Sequence, residues 1–302
     1  MSDTMKEASL EPTPVDVDAG TGPFARVIAD SVSPTGQRLI TVEANMHRFV
    51  LAELNTHRMF SRNSASSRAI PLTVTLRKVS DTPAWPLVWP AEKKGMQGGS
   101  ALEGQDLADA HQLFREVHSF VTQRLAAYLE EHPEAEHRLH KSVVNRLLEP
   151  FAWHRVIITA TDWANFFDLR CSPLAQPEIQ AAAYAIRDAI EQSRPQEVGY
   201  DEWHQPYVRQ EDRQELENMG LAPEVANQVS VARCTRVSYL THDRRRDLTE
   251  DLALYEKLVS ETPPHASPLE HVARPVPDGK QPPGNLRGWA QLRHSVLGPA
   301  PA

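Results

Sequence analysis

From Asp106 to Tyr128 the chain carries apolar residues at helical spacing: Leu107, Ala110, Phe114, Val117, Val121, Leu125 and Tyr128 recur every three or four positions, and Pro133 ends the run. That run commits the chain to one long helix. A second helix is expected from Pro177 to Ser193, with Ile179, Ala182, Ala183, Ile186, Ala189 and Ile190 on one face and Pro195 stopping it. A strand signal lies before them. Arg38-Leu-Ile-Thr-Val-Glu alternates as a strand does, and Phe49 to Leu54 is a denser apolar segment. Another apolar stretch, Val143 to Phe151, leads into Val156-Ile-Ile-Thr-Ala-Thr. A last region opens at Val229 to Tyr239, and a helix around Leu248–Val259 leads to Pro263 and the segment beyond it. Strands mixed with long helices imply an α+β fold, a mixed sheet with helices. The expected organisation is a disordered tail over 1–22 and a single domain over 23–302, with a helical part at about 104–195.

The breakers mark the loops. Asn55 to Arg68 is a polar run closed by Pro71. Residues 82 to 104 hold three prolines and then Lys93-Lys94-Gly95-Met96-Gln97-Gly98-Gly99, which reads as an extended loop. Residues 196 to 226 read as irregular apart from a short Glu211–Met219 helix.

Composition removes several classes. No apolar run approaches the roughly 18 residues that a membrane span needs. The start has neither a basic nor an apolar leader segment, and two cysteines, Cys171 and Cys234, make no disulfide framework, so a reducing cytoplasm is expected. With 32 Lys+Arg against 40 Asp+Glu the net charge is −8, the wrong sign for a general nucleic-acid binder. An anionic ligand therefore needs a local cluster of cations.

Thr56-His57-Arg58-Met59-Phe60-Ser61-Arg62-Asn63-Ser64-Ala65-Ser66-Ser67-Arg68 is such a cluster: three guanidiniums, an imidazole and several hydroxyls. Guanidinium forks and hydroxyl donors match the oxygens of a phosphate ester, although a solvated basic loop would read the same way. Arg146 and Arg170 stand in apolar surroundings and need partners, either a ligand or an internal ion pair with Glu149, Asp162 or Asp168. His265-Ala-Ser267-Pro-Leu-Glu270-His271 lacks the spacing of zinc enzymes, and Ser267 capping a short helix with Glu270 three residues on is the simpler reading. Cys171 beside Arg170 offers a conceivable nucleophile, and a buried filler is the commoner role.

Together these segments resemble the flavin-dependent thymidylate synthases. The family's Arg-His-Arg…Ser…Asn-Glu…Ser…Arg-Tyr signature is matched at His57, Arg58, Ser61, Asn63, Ser66 and Arg68, and departed from at Thr56, Ser64 and Ala69. Arg146-Leu-Leu-Glu-Pro, Asn165-Phe-Phe-Asp-Leu-Arg170 and Ala175-Gln-Pro-Glu-Ile resemble its nucleotide-binding Arg, its Asn…Arg turn and its following helix. Ala232-Arg-Cys-Thr-Arg-Val-Ser238 and His265 to His271 resemble two further stretches, which in the family precede the signature. Here they follow it, which implies a circular permutation; the order, with Gly284-Asn285-x-x-Gly288-Trp289 near the end, is that of phage-type relatives.

The resemblance implies reductive methylation of a deoxypyrimidine monophosphate, dUMP to dTMP. It implies FAD as cofactor, with methylenetetrahydrofolate as carbon donor and NADPH as reductant. Arg170 would polarise the pyrimidine, with Ser66 beside it in the catalytic set. Arg146, Ser66, Ser67, Arg68, Arg170 and Glu53 would hold the substrate. His57, Arg58, Met59, Asn63, Asn165, Ser238 and Ser267 would contact the flavin. No metal, nucleic acid or membrane is implied, and family members are homotetramers with shared sites. Glu53 stands where the family has Gln, and an acid there would repel a phosphate unless Arg48 or another base pairs with it. A hydroxymethylated product, dCMP as substrate, or a non-catalytic homologue are the alternatives these departures raise.

Overall fold

The computed structural model describes residues 22–237, 246–277 and 284–297. The expected tail up to residue 21, and Ser238 and Tyr239, lie outside the described residues.

The architecture is built on β2 (Arg38–His47), in which every residue from Leu39 onward is buried. Its side chains alternate in character: Ile40, Val42, Ala44 and Met46 line one face, and Leu39, Thr41, Glu43, Asn45 and His47 the other. The expected strand therefore forms and runs four residues further than the alternation suggested. β1 (Phe24–Val32) and β4 (Trp153–Ala160) flank it, both antiparallel. β3 (Ser61–Ser64) edges β4, β5 (Gln196–Glu197) pairs parallel with β1, and the order is β3-β4-β2-β1-β5.

The apolar face of the sheet is covered by α6 (Pro177–Gln192), whose proline sits in the first turn where no amide partner is lost. Its Ile179, Ala182, Ala183, Ile186 and Ile190 pack with Ile40, Val42, Ala44, Met46, Val156 and Ile158. Each of the isoleucines, valines and Met46 among them is worth about 1.5–3 kcal/mol of burial.

The other face holds polar groups, and they too are buried. A continuous chain of hydrogen bonds crosses it: Ser31 Oγ to His204 Nδ1 (2.8 Å), His204 Nε2 to Thr41 Oγ1 (2.7 Å), Thr41 to Thr159 (2.6 Å), and Thr159 to His271 Nδ1 (2.8 Å). Burial pushes both imidazoles down to about 3, so they are neutral and bond as ordinary donors and acceptors. Glu43 accepts from Tyr207 Oη (2.6 Å) and Arg26 (2.9 Å), with Arg155 3.4 Å away. Above them lies α8 (Val225–Arg236), whose Cys234, with Val237 just beyond, meets Ile157 of β4. α9 (Leu248–Ser260) packs on α8 through Val231, Tyr255 and Leu258.

The C-terminal segment closes on β3. β6 (Ala273–Pro275) and β7 (Trp289–Gln291) form a small antiparallel pair. Asn285 Nδ2 donates to Met59 O (3.0 Å) and Gln291 Nε2 to Ser61 Oγ (3.0 Å). This closure requires Gly284: its φ is +111°, and a Cβ would stand 2.8 Å from Gln291 Oε1.

The apolar segment Phe49 to Leu54 is helical, through a single 3₁₀ turn and α1 (Leu51–Asn55). The polar run is not all loop, because an edge strand needs only backbone pairing, and Ser61 to Ser64 find theirs on β4. The long helix, α3 (Gly104–Glu131), packs through Phe114, Val121, Leu125 and Leu129, but leaves Val117 49% exposed. Ser267 starts a 3₁₀ turn, Ser267–Glu270, without capping it, and Glu270 pairs instead with Arg293. The expected 82–104 loop holds, apart from an isolated bridge between Pro90 and Ala101, and α7 (Gln210–Asn218) falls where a short helix was expected.

Candidate functional site

The polar run from Thr56 to Arg68 has two ends, separated by the four residues of β3, about 13 Å at 3.3 Å per residue. At the first end His57 is buried, stacked beside Phe60 and edge-on to Phe166. Facing it is Arg170, the last residue of α5 (Ala164–Arg170). Its Nε donates to His57 Nε2 (3.0 Å), and its Nη2 to Thr56 Oγ1 (3.1 Å) and Glu53 O (3.3 Å). Burial, then the charges of Arg170 and Arg62, push His57 down to about 4. The imidazole is therefore neutral near pH 7, and since Nε2 accepts, its proton is on Nδ1. Arg62 Nη1 donates to Leu54 O (2.9 Å) and His57 O (3.2 Å), closing the end of α1.

Arg170 thus meets an imidazole, not the carboxylate an internal ion pair would supply. Asp162 is engaged by Arg287 (3.5 Å). A guanidinium has five N–H donors. The three bonds above use Nε and both hydrogens of Nη2, and no acceptor among the described residues pairs with Nη1.

At the second end the Ser66–Ile70 turn is held from behind. Asn145 Nδ2 donates to Ser67 O (2.8 Å) and Ile70 O (2.9 Å), and Lys141 Nζ, from α4 (Lys141–Val144), donates to Ala69 O (2.9 Å). Behind this turn opens a cavity of about 340 Å³, walled by Ser67, Ile70, Asn145, the start of β4 and α2 (Leu72–Asp81). It lies at the far end of β3 from Arg170.

Other proposed contacts are dispersed. Arg58, Arg68, Asn165 and Ser267 are exposed, Met59, Ser66 and Ser67 are half-buried, and Asn63 is buried in β3. Arg146 is half exposed and pairs with Glu149 (2.9 Å), one of the internal ion pairs considered for it. Glu149 also takes Arg48 (3.2 Å), so Arg48 does not neutralise Glu53, whose Oε2 is buried without a partner. The His265–His271 stretch gathers no ligand set: His265 faces Glu261 (2.6 Å), Glu270 faces Arg293, and His271 faces Thr159. Burial pushes both thiols above their ordinary value, the opposite of the lowering expected for Cys171 beside Arg170.

Sequence reasoning missed Asn145 as the support of the turn, together with Asn285 and Gln291 as the supports of β3. Gly284-Asn285 was visible as a motif; which strand it would clamp depends on tertiary contact alone.

A family model described as thymidylate synthase complementing protein, Thy1, matches residues 29–196. Among solved structures, the chain is similar to a UMP/dUMP methylase, PolB, from Streptomyces cacaoi. With 5-Br UMP bound, that structure gives 15% identity, 56% of this chain, 89% of that chain and a TM-score of 0.45. With 5-Br dUMP the figures are 14%, 56%, 90% and 0.43. No curated protein matches the chain. Among the described residues no helix is long and apolar enough to cross a membrane.

Proposed function

The chain belongs to the thymidylate synthase complementing protein family, the flavin-dependent thymidylate synthases, and from that premise we propose that it converts dUMP to dTMP with FAD, methylenetetrahydrofolate and NADPH. One observation carries the residue assignment: Arg170, anchored on a neutral His57, keeps both Nη1 hydrogens without an acceptor among the described residues. A fixed guanidinium with donors to spare stabilises the charge that develops on a pyrimidine carbonyl when its C5 attacks an electrophile. His57 and Thr56 hold that fork in place, so the donors need no reorganisation as the charge appears. Ser66, Ser67 and Arg68 hold the nucleotide at the other end of β3, with Arg146.

The donor set also fits the flavin. No carboxylate pairs with Arg58 or Arg68 among the described residues, which leaves two guanidiniums near the surface for an anionic cofactor, and His57 is fixed by its aromatic neighbours Phe60 and Phe166. His57, Arg58, Met59, Asn63, Asn165, Ser238 and Ser267 are the residues we assign to it. When bound, the flavin supplies the hydride, methylenetetrahydrofolate the carbon, and NADPH the reducing equivalents.

We read residues 23–302 as one domain in circularly permuted order. The family match ends at residue 196, before the two displaced motifs, and the 3₁₀ turn at Ser267–Glu270 packs beside β3. A homotetramer is supported by α3, where Leu113, Val117 and Phe120, spaced along one face, are 58%, 49% and 72% exposed. A particle of 33.9 kDa in light scattering would refute it.

The test is the visible spectrum of the purified protein with added FAD, dUMP and dCMP. Oxidised-flavin bands that shift with dUMP are the expected result; a colourless protein that ignores FAD overturns the reading. The unpartnered Oε2 of Glu53 favours a second outcome, a response to dCMP instead, because a carboxylate accepts from cytosine's amino group. In the same assay His57→Ala is expected to lose flavin, since it removes both the imidazole assigned to the flavin and the anchor of Arg170; a variant still yellow at full stoichiometry contradicts the assignment.

A further inference from the structure

Gly284-Asn285-x-x-Gly288-Trp289 lies outside every set of residues assigned to substrate or flavin, yet it is docked on the Thr56–Arg68 segment. Its anchor is Trp289, fully buried, whose Nε1 donates to Gln37 O (3.2 Å) in the turn between β1 and β2. Gly288 permits that approach, with a φ of +73° and a Cβ position 3.3 Å from Gln37 Cγ. Arg287 adds two ties just past β4, its amide to Thr161 Oγ1 (3.0 Å) and its guanidinium to Asp162 (3.5 Å). With the backbone fixed at these points, Asn285 reaches the polar segment. Its Nδ2 uses both hydrogens there, on Met59 O (3.0 Å) and Ser61 Oγ (3.1 Å). Gln291 Nε2 reaches the same hydroxyl (3.0 Å) and also Glu270 O (3.1 Å). Ser61 and Gln291 are both buried. Two amides thus join the chain just after His57 and Arg58 to the 3₁₀ turn that Ser267 opens. Polar groups left there without these donors would cost more than the bonds themselves contribute.

We propose that Asn285 and Gln291 are positioning residues of the flavin site: a pair of amides that sets the course of Arg58 and Met59 and holds the Ser267–Glu270 turn beside β3. The inference rests on the functional reading above and deepens it. Neither side chain is assigned a contact with flavin, substrate or a reacting atom; both act through Met59, Ser61 and Glu270. A cofactor binds more tightly to a surface already held in its bound form, because little ordering is left to occur on binding.

The experiment titrates FAD into the full chain stripped of flavin, read by flavin fluorescence. In Asn285→Ala the dissociation constant for FAD is expected to rise about tenfold, the effect of leaving a polar group without its partner. The amount of FAD bound at saturation should not change. A merely destabilising substitution does the opposite: it lowers the folded fraction, and with it the amount bound, but not the concentration that half-fills the sites. Arg287→Ala, which loosens the same segment without touching Met59 or Ser61, is expected to bind FAD as the wild type does. Asn285→Asp keeps the size of the side chain and loses its donors at a half-buried position, and it carries the same expectation should the alanine variant fail to fold. Wild-type FAD binding in the Asn285 variants, or an equal loss in Arg287→Ala, overturns the positioning role and leaves the functional reading standing. A wild-type chain that ignores FAD overturns the functional reading, and this inference falls with it.

Discussion

Arg170→Ala is expected to reduce turnover by at least about a hundredfold, the usual effect of deleting a preorganised donor from a site of developing charge, while flavin remains bound. The effect divides in this way because Arg170 lies between two tasks. Its Nε and Nη2 hold His57, Thr56 and the Glu53 carbonyl, and Nη1 is left for the pyrimidine. The alanine variant removes the electrostatic partner but leaves His57 between Phe60 and Phe166, so the imidazole assigned to the flavin stays in place. Arg170→Lys should not rescue, because an ammonium cannot span His57 and a carbonyl at once. A companion change is expected at His57, whose low pKa owes part of its shift to Arg170. Without that charge the imidazole should titrate at higher pH, still below its ordinary value because burial remains the larger cause. Single-turnover kinetics and an NMR titration of the ring are the measurements. Unimpaired turnover in Arg170→Ala would sink the assignment.

Arg233→Met is expected to cost about 3–5 kcal/mol of stability, the range for breaking a buried ion pair from one side. Arg233 is buried, and it donates to Asp212 (2.6 and 2.8 Å), Asp251 (2.8 Å) and Tyr207 O (2.9 Å). Two buried carboxylates would lose their main partner together, although Arg246 and Arg236 would still reach them. Urea unfolding measures the loss, and a difference under about 1 kcal/mol would contradict it. The pH dependence follows from Asp212. Burial pushes its carboxyl up, but the bonds from Arg233 and the Arg209 amide outweigh that, and its pKa lies below the ordinary value. A depressed carboxylate adds stability above its unfolded pKa and loses it as pH falls through the folded one. In Arg233→Met that depression shrinks, so the variant should lose stability at a higher pH on acidification than the wild type.

The apolar half of this protein was legible because its periodicities are local. Ile40, Val42 and Ala44 alternate, and Ile179, Ala182, Ala183 and Ile186 follow a helical repeat, so the sheet and its covering helix could be read without seeing them meet. The Thr56–Arg68 segment was legible for a different reason: its density of donors is a property of composition. What it would surround was not. β3 is polar throughout, and no alternation announces a strand whose only reason to form is the free edge of β4.

The same limit applies to charge. The sequence shows that Arg48, Glu53, Arg146 and Glu149 exist, but pairing depends on which backbones approach. Arg48, one of the bases that would neutralise nearby Glu53, instead reaches Glu149, about a hundred positions on, where Arg146 already lies. Likewise alternation along β2 shows that it has a polar face but not what covers it, and His204, Tyr207 and His271 cover Thr41, Glu43 and Thr159. By itself the sequence determined the secondary-structure periods, the donor-rich segment and the family they resemble, all of them set by neighbours within a few residues. Only the tertiary structure decided that Arg170 rests on His57 and that Asn285 clamps β3. Those facts turn on groups scores of residues apart being held within hydrogen-bond reach, and short-range pattern carries no record of that distance.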